Sequence, residues 1–125
     1  MSSAARSAGP RRGDAGEELA CGHLRGRGMK ILARNYRSRS GEIDIVADDG
    51  GTLVFVEVKE RRGDSHGSAV EAVTAEKRRR IVRAARVYAA THGLSESPIR
   101  FDVLAIDWSA EGPRVRHDAG AFGEV

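Results

Sequence analysis

Gly41-Glu42-Ile43-Asp44-Ile45-Val46-Ala47-Asp48-Asp49-Gly50-Gly51-Thr52-Leu53-Val54-Phe55-Val56-Glu57-Val58-Lys59 is the stretch from which the rest of the chain can be read. Two β-rich runs, Glu42–Ala47 and Thr52–Lys59, flank Asp48-Asp49-Gly50-Gly51, a composition that favours a tight hairpin. Side chains alternate along a strand, so Glu57 and Lys59 share a face with Leu53 and Phe55, while Val54, Val56 and Val58 line the other. On the preceding strand Glu42, Asp44 and Val46 share a face, opposite Ile43 and Ile45. A two-residue turn at Asp49-Gly50, or a four-residue turn at 48–51, pairs Val46 with Leu53, Asp44 with Phe55 and Glu42 with Glu57. Asp44 then lies diagonal to Glu57 on one face, roughly 7–8 Å away at Cα. A three-residue turn breaks that parity.

Two readings of this face stay open. Charged residues at alternate strand positions usually meet solvent, and a surface Glu57–Lys59 pair contributes little. The other reading is an oxygen-ligand metal site. Glu42, Asp44 and Glu57 crowded together repel one another and resist desolvation, and a divalent ion beside Lys59 removes most of that cost. Carboxylate-held Mg²⁺ activates water and stabilises charge on a phosphoryl oxygen, and a lysine can neutralise the transition state. Leu53 and Phe55 on the same face favour enclosure.

Outward from the hairpin, the order is helix, strand, strand, strand, helix, strand. A first helix is expected over Asp14 to about Arg27, stopped by Gly28, and a short strand over Lys30–Tyr36. Glu17 falls in line with Ala20, Cys21 and Leu24, the middle of the apolar stripe. Either a metal or phosphate network explains a carboxylate there, or it closes a capping box with Asp14. Thr74 caps a long helix to roughly Thr91, with Ile81, Ala85, Tyr88 and Ala89 as its apolar stripe. Ile99–Ile106 reads as a strand entering by a crossover beside the hairpin. The expected class is α/β, a mixed central β-sheet flanked by helices. One domain over 14–107 is expected, with a flexible arm at 1–13 and a tail at 108–125, both rich in Gly, Ser, Pro and charge.

The 125 residues suffice for one domain and not for two. With 40% hydrophobic and 31% charged residues the chain is a globular rather than a disordered type. Cys21 is the only cysteine, so no intrachain disulfide forms, and a reducing cytoplasm is the expected setting. No stretch approaches the roughly 18 apolar residues of a membrane helix. The net charge of +3 only nudges the reading toward polyanions, but its clustering says more. Arg61 and Arg62 leave the strand just after Lys59, and Arg78 and Arg80 begin the long helix; these four are candidate phosphate contacts. Lys77 joins them, leaning toward the apolar stripe and the site. A solvated helix face is the plainer account of the arginines. At 5% aromatic, the chain is poor in stacking platforms, so duplex or branched DNA suits it better than single strands. His23, His66, His92 and His117 show no zinc spacing, and His66 is a candidate phosphate contact in the Gly63–Gly67 loop. Cys21 reads as a core residue, and Asp102 as a structural acid or one supporting the site.

Gly16-Glu17, Gly41-Glu42-Ile43-Asp44, Leu53 to Lys59, Glu71-Ala72-Val73 followed by Lys77, and Arg100-Phe101-Asp102-Val103 together resemble the signature of the bacterial UPF0102 (YraN-like) family. The resemblance covers about residues 13–107. That family is similar to the PD-(D/E)XK nucleases, nearest to Holliday-junction resolvases, and so implies a restriction-endonuclease-like core. It implies Asp44 as the acidic strand residue, Glu57 and Lys59 as the E-x-K pair and Glu17 as the helix-one glutamate. These would hold Mg²⁺ or Mn²⁺ and hydrolyse phosphodiester bonds. The superfamily's proline is replaced by Ile43, and Glu60, directly after the lysine, points to the opposite face. The expectation is therefore a metal-dependent endonuclease acting on DNA. Glu17, Asp44 and Glu57 are its ligands, Lys59 its electrostatic catalyst, and Glu42 a secondary candidate. A nucleic-acid-binding module of low turnover and a protein-interaction adaptor are the alternatives. Resolvases are dimers, so a homodimer is also expected.

Overall fold

A computed structural model describes residues 14–62 and 68–123 of the protein. The chain runs α1 (Asp14–Gly26), β1 (Lys30–Ser38), β2 (Gly41–Asp49), β3 (Thr52–Arg62), α2 (Ala75–Thr91), β4 (Ile99–Ser109) and β5 (Gly112–Phe122). The strands form one mixed sheet in the order β1-β2-β3-β4-β5, antiparallel throughout except for the parallel β3–β4 pair. The long crossover through α2 makes that parallel pairing possible.

The helices lie on opposite faces. Ala20, Cys21 and Leu24 of α1 pack with Ile45, Ala47, Val54, Val56, Leu104 and Ile106. Ile81, Ala85, Tyr88 and Ala89 of α2 pack with Val46, Leu53, Phe55, Phe101 and Val103. Three layers result, and the central strands are covered on both faces, which is why β3 and β4 read as near-continuous apolar runs. Cys21 is a buried core residue as expected, and burial pushes its thiol up. Among the described residues no helix is long and apolar enough to cross a membrane.

Three expectations need correction. The β2–β3 hairpin turns on Gly50-Gly51, pairing Asp49 with Thr52 and Val46 with Phe55. Both glycines have positive φ, 61° and 104°, the conformation a two-residue turn of this hand requires. The register is thus shifted by two from the expected one; parity survives. Second, the last strand runs on to Ser109, and the expected tail from 108 is largely β5, an edge strand with no buried residue. It is held by its ladder to β4 from Ser109↔Gly112 to Phe101↔Phe122. Third, the two-residue alternation fails in β2: Ile43 packs on the α2 side and Ile45 on the α1 side.

α2 starts as expected. Thr74 Oγ1 accepts the Lys77 N–H at 3.1 Å, capping the helix. The expected arm at 1–13, the Asp14 cap and the His66 contact in the 63–67 loop lie outside the described residues and side chains.

Candidate functional site

The broken alternation in β2 builds the site. Asn35 stands across from Asp44, between the paired positions Arg34↔Ile45 and Tyr36↔Ile43, and carries the one positive φ (54°) of any described non-glycine residue. Asparagine tolerates that conformation better than most side chains. Arg34 therefore turns to α1 while Tyr36 packs against Tyr88 of α2. The β2–β3 ladder ends at Ile45↔Val56, whereas β3 stays paired with β4 to Arg62↔Trp108. The two strands fork at Asp44. Its Oδ2 accepts the Val58 N–H at 2.7 Å, replacing a ladder bond across the fork.

Glu57 adjoins Asp44 there, only 5% exposed. Burial, then the nearby Glu57 charge, raises the Asp44 carboxyl to about 7, despite the Val58 bond and Lys77, while Glu17 adds to the rise. Two carboxylates this close, one buried and one half-buried, have to share a proton or find cations. One cation is present: Lys77 Nζ lies 2.7 Å from Glu57 Oε2. Burial opposes the charge on Lys77, but its bond to Glu57 and the fields of Glu57, Asp44 and Glu42 hold it above its ordinary value.

The expected residues divide into two groups. Asp44 and Glu57 come together with Lys77, which was expected among the phosphate contacts. Glu17 is near enough for its charge to act on Asp44, but its Oε1 accepts from Asn35 Nδ2 at 3.1 Å and Arg34 Nη2 at 3.4 Å. Among the described residues, no three His, Cys, Asp or Glu side chains converge so as to hold a metal. Lys59 follows Glu57 on the same strand face, half-buried and without an ion pair among the described residues. Glu42 is exposed, 2.8 Å from Arg37. Glu60 faces α1, as expected. It accepts Trp108 Nε1–H at 2.8 Å and lies so close to Gly16 that any side chain there would collide with it.

The arginines also divide. Arg78 is committed to the fold: it donates to the Val70 and Val73 carbonyls at 2.8 Å and lies over the Phe122 ring. Arg61 bonds Asp107 at 3.0 Å, and Arg62 lies 6.0 Å from the Trp108 ring centroid. Arg80, paired with exposed Glu76, lines an open cleft of about 600 Å³ with Arg37, Ser38, Glu42, Thr74 and Lys77. Lys77 thus joins cleft and acid pair. Gly41 lets α2 approach β2 closely beside the cleft, since a Cβ there would lie 3.1 Å from Arg80 Cβ and 3.2 Å from its carbonyl oxygen.

A second polar cluster, on the α1 side, was not foreseen. Asp102, fully buried, accepts from Arg100 Nε and Nη2 at 2.9 and 3.0 Å, from the Gly120 N–H at 3.0 Å and from His117 Nε2 at 2.8 Å. Burial alone would raise its carboxyl; the bonds from His117, Arg100 and Gly120 bring it down to about 2. An ionised carboxylate only accepts, so His117 donates from Nε2, leaving its Nδ1 to meet His23 Nε2 at 3.3 Å. Burial first, then His117 and Arg27, lowers the His23 pKa. The four side chains come from α1, β4 and β5, and of them the sequence marked Asp102, as a structural or supporting acid.

Residues 16–106 match the sequence model of a family described as "Uncharacterised protein family UPF0102". A UPF0102 protein of Symbiobacterium thermophilum is 52% identical over 100 residues, covering 80% of this chain and 85% of its own. One from Syntrophotalea carbinolica is 51% identical over 107 residues, covering 86% and 87%. A third, from Frankia casuarinae, is 49% identical over 108 residues, covering 86% and 92%. Their names carry the family designation and no activity.

Proposed function

Because the chain belongs to the uncharacterised protein family UPF0102, its chemistry has to be argued from the site, and we propose a metal-dependent hydrolase of DNA phosphodiester bonds on a restriction-endonuclease-like core. The observation that carries this reading is the pairing of half-buried Asp44 with buried Glu57 at the β2–β3 fork, beside Lys77 and an arginine-lined cleft. A mixed sheet between helices, with the acids where two strands part, is consistent with that core.

Magnesium is commonly held by one or two carboxylates while keeping several waters and taking phosphate oxygens of the substrate. Asp44 and Glu57 fit that demand, since an Asp44 carboxyl raised to about 7 is only partly ionised at neutral pH and added positive charge completes its ionisation. The ion, when bound, supplies a Lewis acid and lowers the pKa of water near the scissile phosphate. Val58 N–H orients Asp44 by holding its Oδ2. Lys59 neutralises charge building on the phosphate. Arg37 and Arg80, each held by an exposed carboxylate, trade those weak partners for phosphates along the cleft. Glu17, braced by Asn35 and Arg34, deepens the negative potential without joining the carboxylate pair.

That bracing favours the alternative of a binding module with low turnover, and the test separates the two. The protein is offered four-way junctions, flaps, duplex and single strands with Mg²⁺ or Mn²⁺. Cleavage reduced at least about a hundredfold in Asp44→Asn and Lys59→Ala is the expected result. Salt-dependent binding without cleavage by the wild type supports the module. No affinity for nucleic acid at low salt removes both.

A further inference from the structure

We propose that Lys77 is an internal counter-ion that exchanges with the metal. Its ammonium occupies the cation position of the Asp44–Glu57 pair until a divalent ion displaces it toward Glu42 and the cleft. The inference rests on the metal-site reading above and adds how that site is kept and opened.

The placement of the side chain is the first argument. Its tip is 2.7 Å from a carboxylate that is 5% exposed, whereas the lysine side chain as a whole is 45% exposed. The stem therefore lies in the open cleft and only the charge reaches the buried pair, so withdrawal needs rotamer changes alone. The helix stays put, because the Lys77 backbone N–H is held by Thr74.

Charge balance is the second. With both acids ionised, the pair and one ammonium sum to one negative charge, and Glu17, whose charge also reaches Asp44, is offset by Arg34. A divalent ion replacing the ammonium brings the pair to neutrality; one added beside it leaves an excess positive charge there. Exchange is favoured over joint occupancy, since unpaired charge is costly where water is scarce. The third argument is the landing place. Glu42, on the cleft wall, already acts on Lys77 through its charge, and its own bond is to exposed Arg37. A phosphate entering the cleft offers the same reception, so metal entry and substrate capture would draw on one residue.

The plain alternative is a fixed ion pair fastening α2 to the sheet. Mn²⁺ titration of the full chain without DNA, by calorimetry and electron paramagnetic resonance, separates them in wild type, Lys77→Met and Lys77→Arg. Lys77→Met is expected to bind Mn²⁺ about tenfold more tightly than wild type, with Lys77→Arg near wild type. Equal or weaker affinity in Lys77→Met overturns the exchange and leaves the metal site standing. No Mn²⁺ binding by any folded variant overturns both. Should Lys77→Met fail to fold, the Lys77 side-chain NMR signals of the wild type decide under Mg²⁺ titration. Signals that move in step with occupancy support exchange, and invariant ones overturn it.

Discussion

Replacing Asp44 by Asn should stabilise the metal-free protein at pH 8. The Asp44 carboxyl is raised from 3.8 to about 7 in the folded chain by burial and by Glu57. At about 1.4 kcal/mol per pH unit, that gap is worth roughly 4 kcal/mol. Below pH 3.8 the group is protonated in folded and unfolded chains alike, and no penalty applies. Between the two values the folded state holds the extra proton, so stability falls as pH rises, and above about 7 the full penalty is present. From pH 5 to pH 8 the wild type should therefore lose roughly 2–3 kcal/mol through this group, or roughly 10 °C in Tm. The substituted amide would keep an acceptor for the Val58 N–H and lose the charge, so the profile of Asp44→Asn lacks this decline. His23, whose pKa is lowered, titrates in the same window with the opposite sign, so the difference between the two proteins is the quantity to read. Urea unfolding in chelated buffers at several pH values measures it. Saturating Mg²⁺ at pH 8 should restore the wild type and leave Asp44→Asn unmoved. Profiles that run parallel, offset by a constant, would show that Asp44 titrates normally in the fold, and the account of the fork would fail.

Asp102→Asn should cost about 3–5 kcal/mol in urea unfolding, because Arg100 and His117 keep their positions and lose their carboxylate. A loss under about 1 kcal/mol would mean the cluster is replaceable. Held at about 2 against 3.8, Asp102 also contributes stability above pH 3.8 that disappears as pH falls toward 2, roughly 2 kcal/mol in all. Gly41→Ala places a methyl 3.1 Å from Arg80 Cβ and should cost about 1–3 kcal/mol with amide shifts along the start of α2. No measurable change in either would show that the helix yields freely.

How far the sequence could be read depends on where each element gets its stability. Both helices carry their own signals, Gly28 and Thr74 at the ends and apolar stripes between, and they appear within a residue or so of the expected bounds. β3 and β4 are apolar on both faces and equally plain. β5, with Gly112, Pro113, Arg114 and Arg116, has no such face; it is a strand because β4 offers a ladder, which composition cannot reveal. The hairpin register was two residues out because Asp49-Gly50 and Gly50-Gly51 are both good turns, and packing chose the second. Asp44 and Glu57 were legible from the motif, although the alternation used to place Asp44 fails in β2. The fork was not, since it depends on Asn35 and Asp44 breaking step at the same level in two strands. Lys77 shows the limit of spacing arguments. Lys59 is nearer to Glu57 in sequence, yet α2 delivers the lysine that touches it.

Strand order that follows chain order has a kinetic consequence. β1 to β2, β2 to β3 and β4 to β5 each close through two residues, Arg39-Ser40, Gly50-Gly51 and Ala110-Glu111, so each can zip as a local event. Only the β3–β4 seam must wait for a long excursion of chain to return, and loop closure of that kind slows folding. A three-stranded piece and a two-stranded piece thus meet late, and Glu57 sits on the line where they meet, paired with Val103. Until that seam shuts, the acid at the heart of the site has no floor beneath it.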